Sequence, residues 1–341
     1  MKNKLRVGIV GLGHIAETTY LNAIANSRFT TFVSACDTDK SRFSLLDQEV
    51  STYSDFREMI NKEELDFVID LTPHNVHFEV LKAAAEAGIC VLKEKPLARS
   101  LDEAIAMDTL SKKAGISVMV ALQRRYSEMY GRFRNFVGEV KNPFLAELKY
   151  TIFVEKPDSG WRGKRESAGG GCILDMGYHL IDLMIWYLGL PDRVCVKMSS
   201  KAVGRNYDAE DTAAILFEYH KGPYGTMTIS RSYSPQTESI RLTGSNGFCE
   251  LQKEFIRICD TKGKEQKRVE KQFNKSDLAT KEIDYFARTL RGEVKPMSSI
   301  AENMHHMAFV EACYESVKKG GFAEPKMLLS EAGVPVDNAR S

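Results

Sequence analysis

The segment Gly8-Ile-Val-Gly11-Leu-Gly13-His-Ile-Ala16 begins inside an apolar run, Leu5–Val10, and leads into residues with helical spacing. In a strand-turn-helix context this is the fingerprint of a dinucleotide-binding unit, because the glycines allow a tight turn and close approach of a pyrophosphate. The alternative is a glycine turn that holds no ligand. We predict that five residues of this turn form part of the cofactor site: Gly11, Gly13, His14, Ile15 and Ala16.

Apolar runs alternate with amphipathic stretches from Leu5 to Leu122, as in a parallel sheet covered by helices on both faces. The predicted strands are Leu5–Val10, Thr31–Cys36, Phe67–Leu71, Cys90–Leu92 and Ser117–Ala121. The predicted helices are Leu21–Ala25, Phe78–Ala87 and Leu101–Ala114. Residues 1–123 should therefore form an α/β Rossmann domain with a doubly wound parallel sheet.

The pattern changes after about Arg125, where one apolar helix around Leu174–Leu188 precedes several neighbouring strands. Typical examples are Ala213–Tyr219, Tyr224–Ser230, Ser239–Thr243, Cys249–Leu251 and Ile256–Cys259. Two helices, roughly Asp277–Arg291 and Ile300–Lys319, follow them. Residues 124–341 should form an α+β domain with a largely antiparallel sheet, and the open face of that sheet favours a homodimer or homotetramer.

The composition indicates an ordinary globular protein. Its 341 residues exceed the about 250–300 at which one core usually divides, so we expect two domains. A net charge of +1 supplies no overall field for nucleic acid or an anionic membrane. No membrane span or signal peptide is recognisable, and seven scattered cysteines form neither metal nor disulfide spacings. We expect a cytoplasmic protein without a metal site.

Asp37 follows the second predicted strand, about 20 residues beyond the fingerprint. A carboxylate there accepts hydrogen bonds from the adenine ribose and repels a 2′-phosphate, which favours NAD over NADP. The alternative is that Asp37 caps a helix over Thr38–Leu46. Lys40 and Arg42 lie nearby and keep dual specificity open.

Two further segments follow strands of the first domain, at the edge where such sheets bind ligands. Thr72, Pro73 and Asn75 are predicted cofactor contacts, whereas His74 and His77 more simply begin the next helix. Glu94-Lys95-Pro96 follows the strand at Cys90. By itself this lysine could equally be a solvated charge.

Asp175 and His179 lie in the glycine-led segment Gly169-Gly-Gly-Cys-Ile-Leu-Asp-Met-Gly-Tyr-His-Leu-Ile-Asp182. A spacing of four predicts that both occupy one helix face, where the carboxylate can orient the imidazole. The alternative is a buried hydrogen-bonded pair with a structural role only.

Together these motifs resemble the family named after glucose-fructose oxidoreductase, inositol dehydrogenase and the rhizopine-catabolism protein MocA (Gfo/Idh/MocA). The resemblance covers nearly the whole chain, and the order and spacing of its motifs are specific in combination. The matching pieces are Gly11–Ala16, Asp37, Glu94-Lys95-Pro96, Gly169–Asp182 and Tyr314–Gly320.

The resemblance implies that NAD accepts a hydride from a carbinol of a sugar or polyol, with Glu94 and Lys95 among the cofactor contacts. It implies that His179 takes the hydroxyl proton, that Lys95 stabilises the alkoxide, and that Asp175 orients the base or binds substrate. Two alternatives stay open: glycoside hydrolysis through transient sugar oxidation, and a non-catalytic NAD(H)-responsive protein.

The substrate is less defined. Trp161 and Arg162, within the basic segment Trp161–Arg165, and Arg124 are candidate contacts for a phosphorylated, nucleotide-linked or acidic sugar. A solvated charge run is the alternative. His305 and His306, on the last predicted helix, are interpreted as structural.

Overall fold

The computed structural model describes residues 4–46, 49–156, 159–201, 207–270 and 274–336. Within them the chain forms two compact units. The first comprises the described residues of Met1–Tyr126 and Asn274–Asn303. The second comprises those of Ser127–Phe273 and Met304–Ser341.

In the described part of the first unit, six parallel strands form one sheet in the order β3-β2-β1-β4-β5-β6. This is the doubly wound order, in which the chain changes direction between β1 and β4 and leaves a crevice at the carboxyl ends of the strands. The strands are β1 (Leu5–Val10), β2 (Thr30–Cys36), β3 (Ser51–Tyr53), β4 (Phe67–Asp70), β5 (Cys90–Lys93) and β6 (Val118–Val120).

The helical segments between these strands begin with a π-helix, Ala16–Tyr20, that continues directly into α1 (Leu21–Ala25). The 3₁₀-helix Lys40–Leu45 follows β2, and the 3₁₀-helix Gln123–Tyr126 follows β6. The remaining helices between strands are α2 (Phe56–Lys62), α3 (His77–Glu86) and α4 (Leu101–Ala114).

The second unit contains an eight-stranded sheet in the order β14-β13-β12-β11-β7-β10-β9-β8, counted over its described residues. Its neighbouring strands are antiparallel except for the parallel pair β7 and β10. The strands are β7 (Leu145–Phe153), β8 (Arg193–Ser199), β9 (Thr212–Glu218), β10 (Tyr224–Ser230), β11 (Ser232–Gly244), β12 (Gly247–Gln252), β13 (Phe255–Cys259) and β14 (Glu265–Glu270).

The helices from residue 127 onward are α5 (Glu128–Glu139), α6 (Arg165–Ala168), α7 (Tyr178–Leu188), α8 (Lys275–Leu290), α9 (Ile300–Lys319) and α10 (Pro325–Glu331). A 3₁₀-helix, Gly160–Gly163, precedes α6. No described helix is long and apolar enough to span a bilayer. The predicted fold class, a Rossmann domain followed by a mostly antiparallel α+β domain, is confirmed.

Helix α8 belongs to the first unit, although we assigned all of residues 124–341 to the second domain. Its apolar face joins the core of the parallel sheet through Ile283 and Phe286, whose ring meets Phe67 edge-on at a centroid distance of 5.1 Å. The prediction differed because the chain leaves this unit after Tyr126 and returns to it at Asn274. An amphipathic pattern does not reveal which core its apolar face joins.

Shortening Phe286 should loosen the sheet of the first unit, because its side chain is 1% exposed and contacts Phe67. We expect Phe286→Ala to cost about 3–5 kcal/mol and to speed hydrogen exchange in β1 and β4. Lys281→Ala, on the exposed face of the same helix, is the matched control. Hydrogen exchange would be measured by mass spectrometry. Equal exchange rates in β1 and β4 of the two variants would contradict the assignment of α8 to the core of the first unit.

Candidate functional site

The turn after β1 is held against the ends of two neighbouring strands. The Gly11 amide donates to the Cys36 carbonyl at 2.8 Å, and the Leu71 amide donates to the Val10 carbonyl at 2.8 Å. Gly11 has φ of 93°, and a Cβ there would lie 3.0 Å from the carbonyl carbon and oxygen of Leu71. Glycine is therefore required at this position by both backbone conformation and space.

The other side of the turn is open. A Cβ on Gly13 would meet nothing within 4 Å, and His14 is exposed, whereas Ala16 is fully buried beneath the turn. Ile15 is half-buried and directly precedes the π-helix Ala16–Tyr20. An open glycine face at the start of a helical segment fits a pyrophosphate, which needs backbone amides and no obstructing side chain.

Asp37 lies directly after β2 and its side chain reaches back to the glycine turn. One carboxylate oxygen accepts from the Leu12 amide at 2.7 Å, and the other accepts from the Asp39 amide at 2.9 Å. Each oxygen keeps further lone-pair capacity for hydroxyl donors. The alternative cap role is not observed, because Asp39 caps the 3₁₀-helix Lys40–Leu45 by accepting from the Ser41 amide.

Arg42 is engaged with the same turn. Its Nε donates to the Leu12 carbonyl at 2.8 Å, and Nη2 pairs with Glu17 at 2.8 Å. This guanidinium therefore already has a carbonyl and a carboxylate as partners. Arg42 is one of the two residues, with the exposed Lys40, that kept dual specificity open in the sequence.

The loop after β4 is organised by Asp70, which sequence alone did not indicate. Asp70 accepts from the Thr72 amide at 3.0 Å and from Thr72 Oγ1 at 2.6 Å, and it contacts His77 Nδ1 at 2.8 Å. Burial by itself would raise the pKa of Asp70, but His77 and Lys93 hold that pKa below its usual range. Asn75 is exposed at this sheet edge, and Pro73 is half-buried.

His74 and His77 have the structural setting expected for them. Both are buried, their rings stack at a centroid distance of 5.9 Å, and α3 begins at His77. Burial is the main cause that lowers the pKa of His77, with the Lys93 charge adding to it. The contact with the buried Asp70 carboxylate explains why a histidine occupies this buried position.

Glu94-Lys95-Pro96 follows β5 and is clamped by Lys93, the last residue of that strand. Lys93 is fully buried, and its Nζ donates to the carbonyls of Glu94 and Pro96. Burial lowers the pKa of Lys93 to about 8. Glu94 is 9% exposed, and its carboxylate accepts hydrogen bonds from protein groups, including Tyr20 at 3.0 Å. Lys95 is half-buried.

In the second unit, a buried carboxylate shapes the glycine-led segment. Glu210 accepts from the amides of Gly171 and Ile173 at 2.9 and 3.0 Å and from Tyr314 Oη at 3.1 Å. A Cβ on Gly171 would lie 1.9 Å from the Glu210 carbonyl oxygen, so a side chain does not fit there. Glycine at this position therefore permits the segment to pack closely against Glu210.

The spacing of four predicted that Asp175 and His179 share a helix, and this prediction is wrong. Helix α7 begins at Tyr178, and residues 172–177 form turns in which the Gly177 amide bonds the Cys172 carbonyl. That bond spans one residue more than an α-helical bond and shifts the register before α7. His179 lies in the first turn of α7 and is half-buried.

Two arginines contact the Asp175 carboxylate. Arg162 Nε lies 3.2 Å and Arg231 Nη2 lies 3.3 Å from its Oδ2. The Arg231 side chain is 4% exposed, whereas that of Arg162 is 52% exposed and lies over the Trp161 ring at 4.3 Å. The two guanidinium groups compensate the charge of Asp175, and sequence alone gave no indication of Arg231.

The candidate substrate residues have mixed settings. Trp161 and Arg162 lie on the 3₁₀-helix Gly160–Gly163. Arg162, one cation of the basic segment, forms an ion pair with Asp175. Arg165, a second cation, lies over the Tyr314 ring at 4.7 Å. Arg124 lies on the 3₁₀-helix Gln123–Tyr126 and belongs to the first unit, whereas we placed it at the start of the second domain.

One histidine of α9, His306, has contacts that agree with the structural role predicted for it. His306 is fully buried, its Nε2 lies 2.9 Å from Asp182, and its ring stacks on Tyr178 at 5.3 Å. This pair ties α9 to α7. Among the described residues, no group of three or more His, Cys, Asp or Glu side chains is placed to hold a metal ion.

Comparisons with known proteins identify the family of this chain. The NAD-binding Rossmann-fold model of the Gfo/Idh/MocA oxidoreductase family matches residues 5–122, and the family's C-terminal domain model matches residues 123–250. D-xylose 1-dehydrogenase (NADP⁺) 2 of Haloferax volcanii is 25% identical, over 93% of this chain and 98% of the relative. D-apiose dehydrogenase of Paraburkholderia graminis is 24% identical, over 96% and 92%.

A solved oxidoreductase from Thermotoga maritima has the same fold, with a TM-score of 0.85 and 22% identity over 96% of this chain and 100% of that chain. The two family models together cover both the dinucleotide-binding turn and the glycine-led segment. The resemblance inferred from the motifs is therefore confirmed. This chain belongs to the Gfo/Idh/MocA family of oxidoreductases.

Proposed function

We propose that this protein transfers a hydride between NAD and a hydroxyl-bearing or keto carbon of a sugar, polyol or sugar derivative. The observation that carries the proposal is the open glycine turn joined to Asp37 through the Leu12 amide. The relatives named as D-xylose and D-apiose dehydrogenases favour this dehydrogenase function over glycoside hydrolysis or a non-catalytic sensor.

We propose NAD rather than NADP as the cofactor. The Asp37 carboxylate has room for ribose hydroxyls and would repel a 2′-phosphate. Arg42, which could otherwise bind that phosphate, pairs with Glu17 and the Leu12 carbonyl. One relative is named as an NADP⁺ enzyme, so the choice depends on these residues of this chain. The residues proposed for the cofactor site remain Gly11, Gly13, His14, Ile15 and Ala16, with Thr72, Pro73 and Asn75 at the adjoining edge.

We propose three catalytic residues: Lys95, Asp175 and His179. NAD, when bound, supplies the acceptor for the hydride. His179 takes the proton of the substrate hydroxyl, and the Lys95 ammonium stabilises the negative charge that develops on the oxygen. Asp175 holds a substrate hydroxyl or the base in place, and Arg162 and Arg231 fix its carboxylate for that task.

The remaining parts of the proposal concern substrate, assembly and location. Trp161, Arg162 and Arg124 are proposed to contact the polar groups of the substrate. The open face of the eight-stranded sheet is proposed to pair with another copy, giving a homodimer or homotetramer. All seven cysteines are free thiols, which fits a cytoplasmic, reducing location.

Replacing Lys95 or His179 should remove chemistry without removing cofactor binding. We expect Lys95→Met and His179→Ala to lower turnover by about 10²–10⁴-fold and to leave the Kd for NADH near that of the parent protein. The controls are Lys113→Met and His220→Ala, at exposed positions. Steady-state kinetics and NADH fluorescence measure both quantities, and full activity in either catalytic variant would refute its role.

Neutralising Asp37 should weaken the preference for NADH. Asn at this position can still accept from the Leu12 amide but no longer repels a 2′-phosphate. We expect Asp37→Asn to reduce the ratio of NADH to NADPH affinity by about tenfold, which corresponds to ~1.4 kcal/mol. Asp55→Asn, at the cap of α2, should leave the ratio unchanged. A parent protein that binds NADPH more tightly would overturn this assignment.

A further inference from the structure

A buried polar network surrounds the side chain of Glu94, the residue before the proposed catalytic lysine. Glu94 Oε1 accepts from Tyr20 Oη at 3.0 Å and from Gln123 Nε2 at 3.1 Å. Glu94 Oε2 accepts from the backbone amide of Lys95 at 3.1 Å. Both oxygens of this carboxylate are therefore fixed within the first unit.

A second carboxyl group, from Glu282 on α8, meets the same tyrosine. Glu282 Oε2 lies 3.1 Å from Tyr20 Oη, and Glu282 Oε1 accepts from the Leu122 amide at 2.8 Å. Glu282 and Tyr20 are both fully buried. The network joins the π-helix, the loop after β5, the residues after β6, and α8.

The number of protons in this network decides its charge state. Tyr20 has one hydroxyl proton but faces two carboxyl groups, and its oxygen also accepts from Gln123 Nε2 at 2.8 Å. If both carboxyl groups were ionised, one of them would face the tyrosine oxygen without a proton between them. That arrangement is costly where water cannot enter. One carboxyl group must therefore carry a proton.

The surroundings of the two carboxyl groups assign that proton to Glu282. Glu94 accepts three hydrogen bonds, and its charge interacts favourably with the buried Lys93 ammonium. Burial and then the Glu94 charge raise the pKa of Glu282 well above its usual range. Tyr20 and Tyr126 also interact with Glu282, and burial raises the pKa of each.

We propose that Glu282 is a neutral carboxylic acid that donates to Tyr20, so that Tyr20 donates to Glu94 and the chain of hydrogen bonds fixes the Glu94-Lys95-Pro96 segment. Glu282 and Tyr20 are positioning residues, because they act on Lys95 through Glu94. Lys93 holds the same segment from the backbone side through the carbonyls of Glu94 and Pro96. The positioning role depends on the proposed catalytic role of Lys95, whereas the protonation of Glu282 does not.

The matched variants are Glu282→Gln and Glu282→Leu. Glutamine is neutral, has nearly the same shape, and can both donate to Tyr20 and accept from the Leu122 amide. Leucine can do neither. We expect Glu282→Gln to keep kcat within about threefold of the parent, and Glu282→Leu to lower kcat by tenfold or more with the KM for NADH unchanged, because misplacing a catalytic group reduces turnover. Equal losses of kcat in the two variants would overturn the neutral-acid assignment.

A spectroscopic measurement on the unmodified protein tests the protonation directly. After labelling glutamate at the side-chain carboxyl carbon, the ¹³C signal that is missing in Glu282→Gln belongs to Glu282. We expect this signal to keep the chemical shift of a protonated carboxyl group through pH 7. An ionised shift at pH 7 would refute the proposal even if Glu282→Leu fails to fold. If Lys95→Met were fully active while the Glu282 signal still had the shift of a protonated carboxyl group, the catalytic role of Lys95 would be refuted. The assignment of Glu282 as a neutral acid would then be supported on its own.

Discussion

The close approach of Gly11 to the backbone of Leu71 is the constraint on which the first unit depends. It places the turn after β1 directly against the end of β4, and the Gly11 amide ties the same turn to the end of β2. A side chain at this position would be strained at a φ of 93° and would press on the Leu71 carbonyl, against which the turn packs. The cofactor-binding edge is thus a consequence of how tightly three strand ends pack.

Buried carboxyl groups hold both segments to which we assign chemistry. In the first unit, Glu94 and Glu282 fix the residues around Lys95. In the second unit, Glu210 binds the backbone of the glycine-led segment that precedes Asp175. Such groups cost free energy to bury, and the hydrogen bonds that they accept from the backbone offset part of that cost. They give loops the fixed geometry that helices and strands give to other residues.

The sequence was sufficient for the parts of the fold that have strong local signals. β1 and α4 have the predicted bounds, and the glycine fingerprint indicated the cofactor edge. β14 was missed because its residues, Glu265–Glu270, are almost all polar, and β3 was missed because it has three residues. Arg231 and Glu282 had no sequence signal, since each acts through a partner distant in the chain. Asp70 has partners only two and seven residues away, Thr72 and His77, but it lies at the end of an apolar strand with no motif to mark it.

Deuterium transfer is the most direct test of the central claim, that this protein moves a hydride between NAD and a sugar-like carbon. The purified protein would be incubated with NADH that carries deuterium at both C4 positions and with keto forms of sugars, polyols, sugar acids and sugar phosphates, and products would be analysed by mass spectrometry and NMR. We predict that one substrate class gains a single deuterium on a carbinol carbon. Binding of NADH without deuterium transfer to any of these classes would contradict the account.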